Sequence, residues 1–266
     1  MARVPAQVSG LLKELAAGLP AVLGKNLVGV YLYGSLTQSA FDPARSDVDC
    51  LVATRRDLSD AQFRRLGAWL ARLSESNPWA SRLQMTLLVR DEVLTMNAKA
   101  CHYQFGALRR GGSDGNPIIW LNVLESGVRL YGERPEAFVP EITPEMLSEA
   151  LRREVNYLRE ELSLKPSSEW RDVPFYRAYA VLTLCRILYT HAKGKVVSKP
   201  RAARWAVRHL PEEWHELIRR ALAADYGWLK TRAALSRICR FVDSAGARLG
   251  VSACCPSGSR RGRARR

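Results

Sequence analysis

The sequence predicts an α+β protein in two parts: a half that mixes sheet and helix, followed by an all-helical half. Three observations lead there. Short β-branched and aromatic runs alternate with helical patterns through the first half of the chain. Residues 135–144 then carry three prolines in ten positions, the composition of a linker. From Pro144 onward every periodic segment has helical spacing. The division is therefore residues 1–135 for the first domain, 144–250 for the second, and 251–266 for a basic, disordered tail.

Taken in order, residues 7–24 place Leu11, Leu12, Leu15, Leu19 and Leu23 on one helical face, and Asn26 ends that helix. Residues 27–33 read as a buried strand. Gly34-Ser35 follows at once, then a polar stretch, then residues 47–53, which alternate before turning apolar as a second strand would. Ser59 and Gln62 form a capping box for a helix running to about Ser74. Residues 84–89 are a third strand. Residues 98–114 match no single pattern and run into the turn signal at 111–117. A helix is expected over 118–125, closing near Gly127. In the second half, helices are expected at 145–163, 174–193, 200–209, 211–224 and 226–249, with Gly194 and Gly250 as stops.

The 266 residues hold 47% apolar side chains, enough for a sizeable core, and no apolar run reaches the about 18 residues of a membrane span. The first thirteen residues lack the charged start and long apolar stretch of a leader, so a cytoplasmic protein is expected, and a monomer. Six cysteines without a C-x-x-C pair argue against both a zinc site and a disulfide framework. His102, His191, His209 and His215 are scattered, with no metal-ligand spacing. Trp170, Trp205, Trp214 and Trp228 sit where the core of a helical domain is expected. The formal charge is +15, and five arginines fall in the last seven residues, so the folded part is basic on its own account. Such a surface attracts polyanions. No recognisable nucleic-acid module accompanies it, and nucleic acid is not the favoured partner.

The chemistry lies in the strand, Gly-Ser, loop, strand unit. Gly34 lets the backbone turn tightly and approach a bulky anion, and Ser35 offers a hydroxyl and an amide N–H to phosphate oxygens. Asp47 and Asp49, two apart along a strand, point to one face. Two carboxylates at 4 Å repel by about 4 kcal/mol at an effective dielectric near 20. Their pairing is explained by a cation, and Mg2+ fits best because it takes carboxylates together with substrate phosphate oxygens. Each piece alone is weak. With eleven residues between Ser35 and Asp47 and strands on both sides, the combination points to nucleotide chemistry.

The run Tyr33-Gly34-Ser35…Ser46-Asp47-Val48-Asp49 resembles the signature of the DNA polymerase β-like nucleotidyltransferases. The closer resemblance is to the bacterial streptomycin/spectinomycin (aminoglycoside) adenylyltransferases with their helical C-terminal domain. It continues through residues 83–92 and 130–132, and again through 182–189, Gly194-Lys195, Ser198-Lys199 and 203–211. The resemblance implies a polymerase β-like nucleotidyltransferase domain followed by an all-α bundle, with ATP as co-substrate between them. It implies that Ser35 and Ser46 contact the triphosphate, that Asp47 and Asp49 ligate Mg2+, and that Arg186 and Lys199 reach ATP from the helical half.

Two departures stand out. The family's general base is a glutamate on the third strand, where this chain has Gln84, and an amide does not accept a proton from a hydroxyl at neutral pH. Either a nearby acid such as Asp91 or Glu92 serves, or the acceptor is already deprotonated or metal-activated, or the site binds nucleotide without fast turnover. Retained activity is the expectation, because the carboxylate pair is intact. The family also places acids at the start of the helix that carries the arginine. Here that region keeps Asp172, but Tyr176 and Tyr179 stand where polar aminoglycoside contacts are expected; Asp114 is a further candidate pocket acid.

The resemblance therefore implies an enzyme that moves AMP from ATP to a hydroxyl of a small molecule, an aminoglycoside among the candidates. A transferase acting on RNA or protein, suggested by the basic tail, is one alternative. A nucleotide-binding regulatory module, suggested by Gln84, is the other.

Overall fold

The computed structural model describes residues 5–251, so Cys254, Cys255 and the basic tail lie outside the described residues. Six strands form one mixed sheet in the order β5-β4-β3-β2-β1-β6. They are β1 (Leu27–Tyr33), β2 (Val48–Thr54), β3 (Leu83–Val89), β4 (Lys99–Gln104), β5 (Ala107–Gly112) and β6 (Val128–Gly132). β2 and β3 run parallel, and the other neighbouring pairs are antiparallel. Alternation along β1 and β2 sends Val30, Leu32, Cys50 and Val52 to one face. There they pack on α1 (Ser9–Leu23) and α2 (Asp60–Ser76) through Leu15, Leu19, Leu66 and Leu70. Tyr31, Leu51 and Ala53 point the other way, onto Trp120 and Val123 of α3 (Pro117–Ser126).

That second face meets the helical half, since Ile118 and Leu121 of α3 also pack against its core. The helical half comprises α4 (Pro144–Arg159), α5 (Glu169–Asp172), α6 (Pro174–Lys193), α7 (Lys199–His209), α8 (His215–Leu222), α9 (Tyr226–Leu229) and α10 (Arg232–Arg248). α6 is its axis: Ala180, Val181, Leu184, Cys185, Ile187 and Leu188 are all buried, with α4, α7, α8 and α10 packed around them. Gly194 ends α6 in the left-handed conformation, with φ 63°. Hydrogen bonds across the junction fix the segment before α7. Val196 N–H donates to Glu125 at 2.8 Å, and Gln38 donates to Val196 O at 3.3 Å.

Several sequence expectations are met, including the Ser59/Gln62 capping box and the three strands at 27–33, 48–54 and 83–89. Others are revised. The unassigned stretch 98–114 is the β4–β5 hairpin, turned by Phe105 and Gly106 at φ 53° and 75°. That is the positive-φ pair of a two-residue hairpin turn, where asparagine rather than phenylalanine is the usual first residue. Residues 128–132 form an edge strand that periodicity over so short a run did not reveal. The helix predicted over 226–249 is two helices, because the Thr231 side chain caps a new start by accepting from Ala234 N–H at 3.1 Å. Asp47 sits one residue before β2 rather than within it. Among the described residues, no helix is long and apolar enough to cross a membrane.

Arg177, buried on α6, ties these helices together. It donates to Arg171 O at 2.5 Å, Leu229 O at 2.7 Å and Thr231 O at 3.1 Å. Arg177→Ala leaves those carbonyls without their donor, and about 2–4 kcal/mol of unfolding free energy is expected to be lost. Urea denaturation measures it; a midpoint within error of the wild type would show that the contacts contribute nothing.

Candidate active site

The site lies where the β1 and β2 ends nearest Gly34 face the helical half. β1 ends at Tyr33, and Gly34 turns away at φ 76° into a single helical turn, Gly34–Leu36. The turn is held from both sides. Gly34 N–H donates to Asn122 on α3 at 3.2 Å, and the Thr37 hydroxyl donates back to Gly34 O at 3.2 Å. Among the described residues, the buried Nδ2 of Asn122 finds no hydrogen-bond partner. A Cβ on Gly34 would lie 2.2 Å from Asp49 Oδ2, so the carboxylate occupies the space that only glycine leaves open.

Asp49 stands opposite Tyr33 on β1 and beside Gln84 on β3. Asp47 is exposed and Asp49 half-buried. Gln84 Nε2 donates to Asp47 Oδ2 at 2.9 Å. Burial, and then the charge of Asp47, push the Asp49 carboxyl up to about 7. Asp47 is also raised, because the cleft walls partly desolvate it, while Arg82 and Lys199 pull it back. Arg82 meanwhile braces the connecting loop by donating to the carbonyls of Pro43 and Ala44. In the same loop Ser46 Oγ accepts the Asp42 N–H at 2.9 Å, which leaves its own O–H free to donate.

Across the cleft stand two cations. Lys199 opens α7 and lays its ammonium 3.1 Å from the centroid of the Tyr179 ring. Burial and then the neighbouring Arg186 push Lys199 down to about 7, against the pull of both aspartates. A strained carboxylate pair facing a strained cation pair is poised for a ligand that brings both signs of charge. A divalent ion relieves Asp47 and Asp49, and a polyphosphate relieves Lys199 and Arg186. The two carboxylates and the cradle over Gly34 thus suit the ion and phosphate of a metal–nucleotide complex. Among the described residues, no group of three or more His, Cys, Asp or Glu gathers to hold a metal on its own.

Of the sequence candidates, the structure brings together Gly34, Asp47, Asp49, Gln84, Arg186, Lys199 and Tyr179, with Ser35 in the turn itself. Tyr176 and Tyr179 both pack on Trp170, each at 5.6 Å between centroids, in a partly exposed aromatic group that also includes Phe175 and Tyr157. Asp172 ends α5, where the Ser167 hydroxyl donates to it, and it acts on Arg177 rather than on the aspartate pair. Asp91 is exposed and paired with Arg90 at 2.9 Å. It and Glu92 follow the far end of β3; seven residues beyond Gln84 at about 3.3 Å each is roughly 20 Å away. Neither acid stands in for Gln84.

Three residues escaped the sequence reading. Asn122 and Arg82 look like ordinary helix and loop positions until the turn and the loop pack on them. Glu154 of α4 accepts from Asn116 at 3.0 Å, and burial and then Asp114 raise its carboxyl, with Arg186 lowering it. It joins Asp114 to the cleft from a helix distant in sequence, which a linear pattern does not reveal.

The chain is similar to several known proteins. Residues 137–246 match the family described as "Aminoglycoside adenylyltransferase, C-terminal domain". An aminoglycoside (3'') (9) adenylyltransferase of Escherichia coli is 29% identical over 250 residues, covering 87% of this chain and 90% of the relative. A spectinomycin 9-adenylyltransferase of Campylobacter jejuni is 25% identical, covering 77% and 81%. In fold, the chain is similar to the crystal structure of a spectinomycin adenyltransferase from Enterococcus faecalis with ATP and spectinomycin. The TM-score is 0.64 at 21% identity, over 92% of this chain and 98% of the other.

Proposed function

We propose that the chain is a nucleotidyltransferase of the aminoglycoside adenylyltransferase kind and that it transfers AMP from magnesium-bound ATP to an oxygen of a small acceptor. A hydroxyl of an aminoglycoside is the first acceptor to try, since the relatives' names carry it. One observation supports the reading above the others: Asp49 lies over Gly34 with Asp47 near enough to act on its charge, and Lys199 and Arg186 act on the pair from the helical half.

The roles follow from placement. Asp47 and Asp49 hold the metal, which when bound polarises the α-phosphate and offsets charge on the departing pyrophosphate. Gly34 and Ser35 let the phosphate chain lie against the backbone, with the Ser35 N–H and hydroxyl donating to it. Ser46 adds a donor from the loop. Lys199 and Arg186 neutralise phosphate oxygens from the other wall, so the nucleotide lies between the two halves. Asp114, Asp172, Tyr176 and Tyr179 are the candidates on the acceptor side.

The test is pyrophosphate release with ATP, Mg2+ and a panel of acceptors. Release no greater than that of Asp49→Asn, with every acceptor, would remove this reading. Lys199→Ala and Arg186→Ala should each raise the KM for ATP by about tenfold to a hundredfold, as expected for losing one charge-assisted phosphate contact. Steady-state kinetics at saturating acceptor check this; an unchanged KM would place that residue outside the nucleotide site.

A further inference from the structure

We propose that the acceptor brings an oxygen already ionised at neutral pH, a phosphate or a carboxylate, rather than a hydroxyl that must be deprotonated on the enzyme. This rests on the adenylyl-transfer reading and narrows its substrate class.

The first support is Gln84. The parallel ladder sets it beside Asp49, and its amide donates to Asp47 at 2.9 Å. It stands against the aspartate pair, and it has no basic atom to offer. The remaining acids do not replace it. Asp91 and Glu92 follow the far end of β3. Asp114 and Glu154 act on each other, and Glu154 also accepts from Asn116 and faces Arg186. His102 spends both ring nitrogens on Thr86 and Gly112 O. Lys199 rests on the Tyr179 ring and is engaged by phosphate once nucleotide is present.

The second support is the sign of the surroundings. The charged neighbours that act on Asp47 and Asp49 from outside the pair are Arg82, Lys199 and Arg186, all cationic. Residues 144–250 hold 20 Lys and Arg against 12 Asp and Glu, so the second domain carries most of the surplus positive charge outside the tail. Three cations raise the local concentration of anions at the aspartate pair, while Asp114 and Glu154 carry the opposite sign on the far side of Arg186.

The step then balances without a base. The acceptor O⁻ forms a bond to the α-phosphorus of ATP, and the bond from that phosphorus to the α,β-bridging oxygen breaks. The electron pair leaves with pyrophosphate, and no proton is taken from the acceptor. A general base contributes about 10²- to 10⁴-fold. A hydroxyl acceptor forfeits that factor here, and an ionised one does not.

The experiment measures pyrophosphate release by the full chain with ATP and Mg2+ in three arms. Spectinomycin and streptomycin offer hydroxyls; inorganic phosphate and glucose 6-phosphate offer phosphate; acetate and benzoate offer carboxylate. Phosphorus NMR identifies a phosphoanhydride product, and hydroxylamine traps an acyl adenylate, which separates the two anionic arms. The wild type should turn over one anionic arm at least tenfold faster than either antibiotic. Gln84→Glu should raise antibiotic turnover about a hundredfold and lower the anionic rate, because it sets a further carboxylate beside Asp47 and Asp49 where the anion must approach. Wild-type turnover of an antibiotic at least as fast as of every anion overturns the inference and leaves adenylyl transfer standing. So does equal acceleration of both arms by Gln84→Glu. A wild type silent with all acceptors beside a Gln84→Glu variant active on antibiotics also overturns it, and marks a chain that has lost turnover. Silence of both proteins with every acceptor removes the adenylyl-transfer reading itself.

Discussion

Asp49→Asn is expected to cut pyrophosphate release by at least about a thousandfold, because it removes a metal-holding charge from the point where charge develops on the α-phosphate. The loss should fall on kcat, with binding of ATP in the absence of metal little changed. Unfolding separates this from misfolding. The Asp49 carboxyl is pushed up to about 7 by burial and by Asp47. A carboxyl whose folded value is raised above its unfolded one contributes stability that is complete below the unfolded value and is lost as pH rises through the folded one. Without metal, the wild type should therefore weaken between about pH 4 and pH 7. Asp49→Asn should not share that decline, so the variant unfolds at a higher temperature than the wild type at pH 8, with the gap closing near pH 4. An inactive variant that is also less stable at pH 8 would point to a structural role instead.

The second large effect comes from one carbon atom. Gly34→Ala puts a Cβ 2.2 Å from Asp49 Oδ2 on a residue whose φ is 76°. The left-handed backbone alone costs an alanine about 1–2 kcal/mol. The greater consequence is for the carboxylate, which must swing off the turn and away from Asp47. Activity is expected to fall by about a hundredfold or more, since an error of about 1 Å in a reacting group costs that much. Mn2+ titration followed by electron paramagnetic resonance should show weaker metal binding in the variant. Wild-type metal affinity together with wild-type turnover would mean that the close approach of Asp49 to Gly34 is incidental.

The parts legible in the sequence were those set by neighbours along the chain. Alternation wrote β1 and β2, the Ser59-x-x-Gln62 spacing wrote the start of α2, and the shift to helical spacing after Pro144 wrote the second domain. Asp47 and Asp49 were singled out by the same local rule, a separation of two along extended chain, and Asp47 proved to lie one residue outside β2. Contacts that depend on tertiary closure were not. The β4–β5 hairpin turns on a phenylalanine in a conformation it seldom adopts, so residues 98–114 carried no turn signal at their centre. The break before α10 depends on a single threonine hydroxyl that looks, in sequence, like one more polar helix position. Asn122 enters the site only because α3 packs on the open face of the sheet. Glu154 enters it because α4 crosses above Asn116. Gln84 shows both sides of this. The sequence marked it as the wrong residue for a base, and only the folded chain showed that it lies beside Asp49 with its amide donating to Asp47.

The account turns on Asp47 and Asp49 sharing one divalent ion above the Gly34 turn. Crystals grown with Mn2+ and a non-hydrolysable ATP analogue test it most directly, through the anomalous signal of manganese. The account predicts a single peak within about 2.3 Å of an oxygen from each aspartate, in contact with the α-phosphate. A peak elsewhere, or nucleotide bound with the two carboxylates turned apart, would contradict it.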